Sequence, residues 1–154
     1  MSESSPFQLR ARTIRERAAG EAMMQLMGAD ISTLEPGGAT VSVGCRPELI
    51  EETEGCFHEE VTAILVEQGA RIAAATRLGD GEVCLATDYR LNLFGPARGE
   101  RLVCRARVVR AGRLASVVAA DVVCVTGAEE IPTATAIATI SIVEASAIAP
   151  AGHA

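Results

Sequence analysis

One segment of this chain combines helical periodicity with a mostly apolar body: residues 58–77, HEEVTAILVEQGARIAAATR. Its first turn is acidic, as the helix dipole favours, and it ends before Gly79-Asp80-Gly81. Stretches with the period of β-strands follow it. Because a sheet with an apolar face must bury that face, and this is the one long apolar helix predicted, the sheet is expected to pack on it.

The strand-like stretches are short and separated by turn residues. Strands are predicted at residues 39–45, 83–93, 102–109, 114–125 and 133–143. In the second of these, Val83, Leu85 and Thr87 alternate with Cys84 and Ala86, and the alternation runs unbroken to residue 93, as in a half-buried strand. The last four strands are joined by short turns, so we expect each to pair antiparallel with its neighbour in sequence.

The remaining segments complete a single-domain architecture. A helix is predicted at residues 8–27, ending at Gly28, and an irregular acidic loop at residues 46–57. A chain of 154 residues suits one domain. The predicted fold class is α+β, with a curved antiparallel sheet around one long central helix. The predicted division is an N-terminal helical extension at 1–28, one domain at 29–146 and a flexible tail at 147–154.

Composition excludes several functions. A net charge of −6 argues against a general nucleic-acid binder. No apolar run reaches the roughly 18 residues of a membrane span, and the N-terminus lacks a signal-peptide core, so the protein is expected to be cytoplasmic. The five cysteines are scattered without metal-site spacing, which predicts reduced, buried thiols and no metal site.

The candidate chemistry lies on the central helix. Glu67 is a carboxylate within the apolar body, and burial of such a group is costly without a partner or substrate. The helix start at His58 offers unpaired backbone N–H groups that could polarise an acyl carbonyl. Glu67 could attack that carbonyl or activate a water. A structural alternative is that Glu60, Glu67 and Arg71 form a solvated flank with an i, i+4 ion pair.

Several motifs resemble the hotdog-fold thioesterases of the PaaI-like acyl-CoA group. They are MGADISTLEPGGATVSV, Gly55-Cys56-Phe57-His58, the carboxylate at Glu67, ATDYRLNLFGPARGERLVCRARVVRAGR and ATISIV. The resemblance covers about Met24 to Val143. It implies a homodimer or dimer of dimers with two interfacial active sites, which hydrolyses acyl-CoA or acyl-carrier thioesters without a cofactor.

The resemblance also assigns site residues. Glu67 corresponds to the family's nucleophile or general base, and His58 opens its His-Gly-Gly motif, so that the backbone amide of Glu59 would polarise the thioester carbonyl. Glu52 stands six positions before His58, where relatives often carry an amide. The sequence departs from the motif because Glu59 and Glu60 replace its two glycines, which adds negative charge near a developing oxyanion.

Six further residues are candidates for substrate contacts. They are Gly55, Asn92, Arg98, Arg110, Gly112 and Arg113. The three arginines could hold the coenzyme A phosphates or could be solvent-facing charges at strand ends. Two functions remain open at this point: an acyl-CoA thioesterase, or a hotdog dimer that binds an acyl thioester or related ligand without efficient turnover.

Overall fold

The computed structural model of this chain describes residues 5–148. The elements in chain order are α1 (Pro6–Gly20), α2 (Ala22–Met27), β1 (Ala29–Glu35), β2 (Gly38–Gly44), a 3₁₀ turn (Pro47–Leu49), β3 (Ile50–Glu51), β4 (Cys56–Phe57), α3 (Glu59–Ala75), β5 (Glu82–Leu93), β6 (Arg101–Ala111), β7 (Ala115–Thr126), β8 (Glu129–Glu144) and α4 (Ala145–Ile148). The predicted tail, 147–154, lies outside the described residues from 149 onward.

A six-stranded antiparallel sheet packs on the long helix α3, which confirms the predicted α+β class. The strand order is β1-β2-β6-β7-β8-β5, and β3 and β4 form a separate two-stranded hairpin. No helix among residues 5–148 has the length and apolar character needed to cross a membrane.

The core forms where α3 meets the concave face of the sheet. Leu65, Val66 and Ala70 of α3 are fully buried. The sheet presents small buried residues, such as Ala120 and Ala136, which let it approach the helix closely. The predicted helix at 58–77 is therefore confirmed, with His58 as the residue that caps its start.

The pairing of the strands differs from the prediction in one respect. β5 pairs with β8, at the edge of the sheet, and not with β6. The segment between β5 and β6 crosses the end of the sheet: the Phe94 amide donates to the Thr133 carbonyl of β8, and the Glu100 amide donates to the Val125 carbonyl of β7. A connection of seven residues, 94–100, is long enough to pass two strands, and the turn signal at Gly95-Pro96 does not reveal that path.

The alternation predicted along β5 is also interrupted. Ala86 lies opposite Ile140 and Tyr89 lies opposite Ala138, with a register shift between Ala86 and Asp88. Ile140 and Ala138 of β8 are buried in the core, and residues opposite each other on paired strands face the same side. The inward positions of β5 therefore change from even to odd residue numbers at this β-bulge. Sequence alternation could not show the extra residue.

Two further predictions need correction at the N-terminal side. The helix expected at 8–27 is broken at Glu21, whose extended backbone separates α1 from α2. Strand β1, which pairs with β2, was not predicted because its exposed Ser32 and Thr33 lack an apolar alternation. The loop predicted at 46–57 contains the 3₁₀ turn and the short β3–β4 hairpin.

The cysteines are all free, but they are not all buried. Cys56, Cys104 and Cys124 are buried, Cys84 is half-buried and Cys45 is exposed. Burial raises the pKa of the Cys104 thiol to about 12, so this thiol stays protonated at neutral pH. The prediction of buried thiols is therefore wrong for Cys45, which lies just after the end of β2.

Gly69 allows α3 to approach β6. A side-chain carbon added there would lie 3.0 Å from the Cys104 sulfur and 3.6 Å from the Ala106 methyl carbon. Gly69→Val should lower the free energy of unfolding by about 1–3 kcal/mol, since overpacking displaces the helix from the sheet. The same change at Gly20, where nothing lies within 4 Å, serves as the control and should be nearly neutral. Equal denaturation midpoints for the two variants in urea would contradict the close approach.

Candidate active site

The start of α3 forms the first part of the candidate site. The backbone amide of His58 donates to the Leu49 carbonyl at 3.0 Å, which fixes the point where the helix begins. The amide of Glu59 occupies the first helical position, where no carbonyl one turn earlier is available to accept from it. Its N–H group therefore points along the helix axis, outward from the start of the helix.

The side chains around this helix start are acidic and exposed. Glu59 and Glu60 are both exposed in the first turn of α3. Glu52 is exposed in the turn of the β3–β4 hairpin, and Gly55 in the same turn has a positive φ of 63°. The departure from the His-Gly-Gly motif thus places two carboxylates at the solvent edge of the donor amide.

The hairpin is held by a carboxylate and by the crossover segment. The Glu51 carboxylate accepts the Glu54 amide at 2.6 Å, and this backbone hydrogen bond, with that of Thr53, lowers the pKa of Glu51. Arg98 donates to the Glu54 carbonyl at 3.1 Å. The amide of Phe57 donates to the Ala97 carbonyl at 2.9 Å. These bonds place the predicted residue Arg98 beside the helix start.

Three of the other predicted substrate contacts lie at the opposite end of the sheet. Arg110 is near the end of β6, and Gly112 and Arg113 are in the turn that follows; all three are exposed. That turn adjoins the end of β8, since the Ile142 amide donates to the Leu114 carbonyl. The sequence could not show that Arg98 and Arg113 lie at opposite ends of one subunit. Asn92 is exposed near the end of β5, on the helix-start side.

Glu67 lies in the middle of α3, about nine residues and about 13 Å along the axis from His58, at about 1.5 Å per residue. Its side chain is 34% exposed, and its Oε1 is 4.0 Å from the Nε of Arg71. The i, i+4 pair expected from the sequence therefore exists, but at a distance too long for a hydrogen bond.

Arg71 has stronger partners than Glu67. Its Nη2 lies 2.6 Å from each carboxylate oxygen of Glu21 and 2.6 Å from the side-chain oxygen of Gln68. Gln68 is 3% exposed, and its amide nitrogen donates to Glu21 at 3.3 Å. Glu21, Glu67, Gln68 and Arg71 thus form a mid-helix polar cluster. Sequence reasoning missed Glu21 and Gln68, because an uninterrupted helix at 8–27 gave no reason to single out residue 21.

A cavity of about 500 Å³ adjoins this cluster. It lies between α1, the C-terminal half of α3 and the start of β5, and Glu21 and Arg71 are part of its wall. Its apolar lining includes Leu9, Ile72 and Leu78. Glu67 and His58 are not among its lining residues, so Arg71 and Glu21 are the members of the mid-helix polar cluster that the cavity contacts.

No three His, Cys, Asp or Glu side chains among residues 5–148 are grouped in a way that could hold a metal ion. The two parts of the candidate site, the helix start and the mid-helix cluster, are also separate within one subunit. A single subunit therefore presents a carbonyl-polarising amide at one point and a carboxylate at another.

Comparison with known proteins identifies the class. A family model described as the thioesterase superfamily matches residues 55–131, which include β4, α3 and β5 to β7. The chain belongs to the thioesterase superfamily. No curated protein matches the sequence significantly.

Solved structures agree with this assignment. A thioesterase family protein from Silicibacter pomeroyi is similar with a TM-score of 0.84 and 27% sequence identity, over 88% of this chain and 98% of that one. A thioesterase from Haemophilus influenzae has a TM-score of 0.77 and 18% identity, over 93% of this chain and 94% of that one. The predicted superfamily and its hotdog fold are therefore confirmed.

Proposed function

We propose that this protein is an acyl-CoA thioesterase of the PaaI-like group, which hydrolyses acyl-CoA thioesters. The observation that carries the proposal is the placement of a partly exposed carboxylate, Glu67, nine residues after a helix start with an unpaired amide at Glu59. The amide polarises the thioester carbonyl, and Glu67 attacks its carbon or directs a water to it. If Glu67 attacks, coenzyme A leaves and an acyl–Glu67 anhydride forms, which a water then hydrolyses to the acid and the free carboxylate. If a water attacks, Glu67 takes its proton and coenzyme A leaves directly. On both paths the leaving thiolate takes up a proton and one water is consumed.

The active unit in this proposal is a dimer. β5 lies at the edge of the sheet and exposes Tyr89 and Leu93, 42% and 41% exposed, on inward-facing positions beyond the bulge. An edge strand with apolar side chains is a surface that proteins normally cover. Antiparallel pairing of two β5 strands would continue the sheet across two subunits.

This pairing would also bring predicted substrate contacts of two subunits to one site. The start of β5 adjoins the end of β8, since the Ala145 amide donates to the Gly81 carbonyl, and the end of β5 leads into the crossover beside the start of α3. Two antiparallel β5 strands therefore bring the end of one subunit that carries Arg110 and Arg113 to the helix-start side of the other. We propose that those arginines, with Arg98, hold the phosphates of coenzyme A.

A second candidate function is supported by one observation. The exposed Glu59 and Glu60 place negative charge at the entrance to the donor amide, which disfavours an oxyanion there. A dimer of this kind would bind an acyl thioester or a related ligand and hydrolyse it weakly or not at all. The two functions differ in turnover, so hydrolysis of a panel of acyl-CoAs, followed by released thiol, separates them.

The oligomeric state is the first test of the site. We expect light scattering at micromolar concentration to give at least twice the monomer mass of 16.0 kDa. The physical reason is that His58 and Glu67 are too far apart to reach one carbonyl within a subunit. A stable monomer that hydrolyses acyl-CoA would show the two-subunit site to be wrong.

The role of Glu67 is tested by Glu67→Gln, which keeps the shape of the side chain and removes its charge. The turnover rate should fall at least about a hundredfold, as for a lost acid–base group, while substrate binding is largely kept. Glu16→Gln is the matched control, because Glu16 forms an exposed i, i+4 pair with Arg12 at 2.8 Å, away from α3. Unchanged turnover in Glu67→Gln would show that Glu67 is not the reacting carboxylate and only pairs with Arg71.

The acidic helix start is tested by the double change Glu59→Gly with Glu60→Gly. Removal of the two carboxylates should raise turnover of ordinary acyl-CoAs, at a cost in helix stability of roughly 0.5–1 kcal/mol for each glycine. Turnover and thermal unfolding are measured on the same samples. If the wild type turns over acyl-CoAs rapidly and the double variant does so more slowly, the two glutamates are instead part of the active site.

A further inference from the structure

Arg71 stands between two carboxylates and is shared unequally by them. Glu21 contacts its Nη2 with both oxygens at 2.6 Å, whereas Glu67 lies 4.0 Å from its Nε. One guanidinium nitrogen of this kind carries two N–H groups. Glu21 and the Gln68 oxygen together use the donors of Nη2, which turns this end of the guanidinium toward Glu21.

Glu21 is placed for this contact by the break in the N-terminal helices. It caps the end of α1 and the start of α2, with φ −80° and ψ 125°. Its amide donates to the Ala18 carbonyl, and its carbonyl accepts the Gln25 amide, both at 3.1 Å. The match to the thioesterase superfamily begins at residue 55, so Glu21 approaches the site from outside the matched region.

We propose that Glu21 is a positioning residue that holds the Arg71 guanidinium away from Glu67 and so keeps the Glu67 carboxylate free to react. This inference rests on the proposed function, because it assumes that Glu67 is the reacting carboxylate. Without Glu21, Arg71 would have Glu67 as its nearest carboxylate partner on the same helix face. A carboxylate bound tightly to a guanidinium is a weaker nucleophile and a weaker base.

Other charged and titratable groups face the same region. Those that line the cavity together with Glu21 and Arg71 are Arg10, Arg17, Asp80, Glu82 and Cys84. Arg10 donates to the Thr76 carbonyl at 3.2 Å, and the Cys84 thiol donates to the Arg71 carbonyl at 3.4 Å. Burial raises the pKa of Cys84, which keeps that thiol neutral at pH 7. Glu21 is the carboxylate within hydrogen-bond distance of the Arg71 guanidinium among the described residues.

The test compares Glu21→Gln with Glu21→Gln combined with Arg71→Met. In the single variant, Arg71 turns toward Glu67, so kcat/KM should fall about three- to tenfold and the acidic limb of its pH profile should move to lower pH. In the double variant the guanidinium is gone, and kcat/KM should return toward the wild-type value. Glu16→Gln, which removes a carboxylate from another arginine pair on α1, should change neither quantity.

A titration that does not need turnover provides a second readout. The Glu67 carboxylate can be followed by carbon NMR and assigned by its disappearance in Glu67→Gln. The Glu67 signal should titrate at lower pH in Glu21→Gln than in the wild type. It should titrate at higher pH in Arg71→Met, and this variant provides the test if Glu21→Gln fails to fold. An unchanged titration in the folded variants, or a double variant as slow as the single one, would overturn the inference.

The two proposals fail in different ways. If Glu67→Gln is inactive while Glu21→Gln behaves like the wild type, only the role of Glu21 is wrong. If Glu67→Gln keeps full turnover, the proposed function of Glu67 fails. In that case the titration of Glu67 still decides whether Glu21 holds the Arg71 guanidinium away from Glu67.

Discussion

The burial of α3 against the concave face of the sheet is the contact on which the rest of the structure depends. Fully buried side chains along the helix, such as Leu65 and Ala73, meet small residues of the sheet, and Gly69 has no side chain where the helix approaches β6 closely. Because this face of the helix is used for packing, the charged groups in the body of the helix are left to its flank. Glu67 and Arg71 lie on that flank, each about one-third exposed or less.

The sequence predicted this central packing well, since both the helix and the strands had clear periodicity. It predicted local structure less well wherever one residue changed the pattern. The extra residue near Thr87 reverses the facing of the rest of β5, and the extended backbone of Glu21 divides one predicted helix into two. Neither residue type requires such a conformation, so composition and spacing could not show it.

The candidate site was predictable in part for the same reason. The spacing of His58 and Glu67 on one helix follows from the sequence, and the structure preserves it. The partners of Arg71 depend on tertiary contacts about 50 residues apart in the chain, which a helical wheel cannot contain. The i, i+4 pair of Glu67 and Arg71, which the sequence offers as a structural alternative, is the longer of the two contacts that Arg71 makes with carboxylates.

The path of the chain across the end of the sheet has a consequence for synthesis on the ribosome. Within residues 5–148, β5 pairs with one strand, β8, and β8 ends at residue 144. The backbone of β5 therefore leaves the ribosome well before the strand that covers it, and pairing must wait until β8 has also been made. During that interval both edges of β5 are open. Until β8 arrives, the unpaired backbone groups of β5 are exposed on both sides, and an open strand of this kind can mispair with another chain.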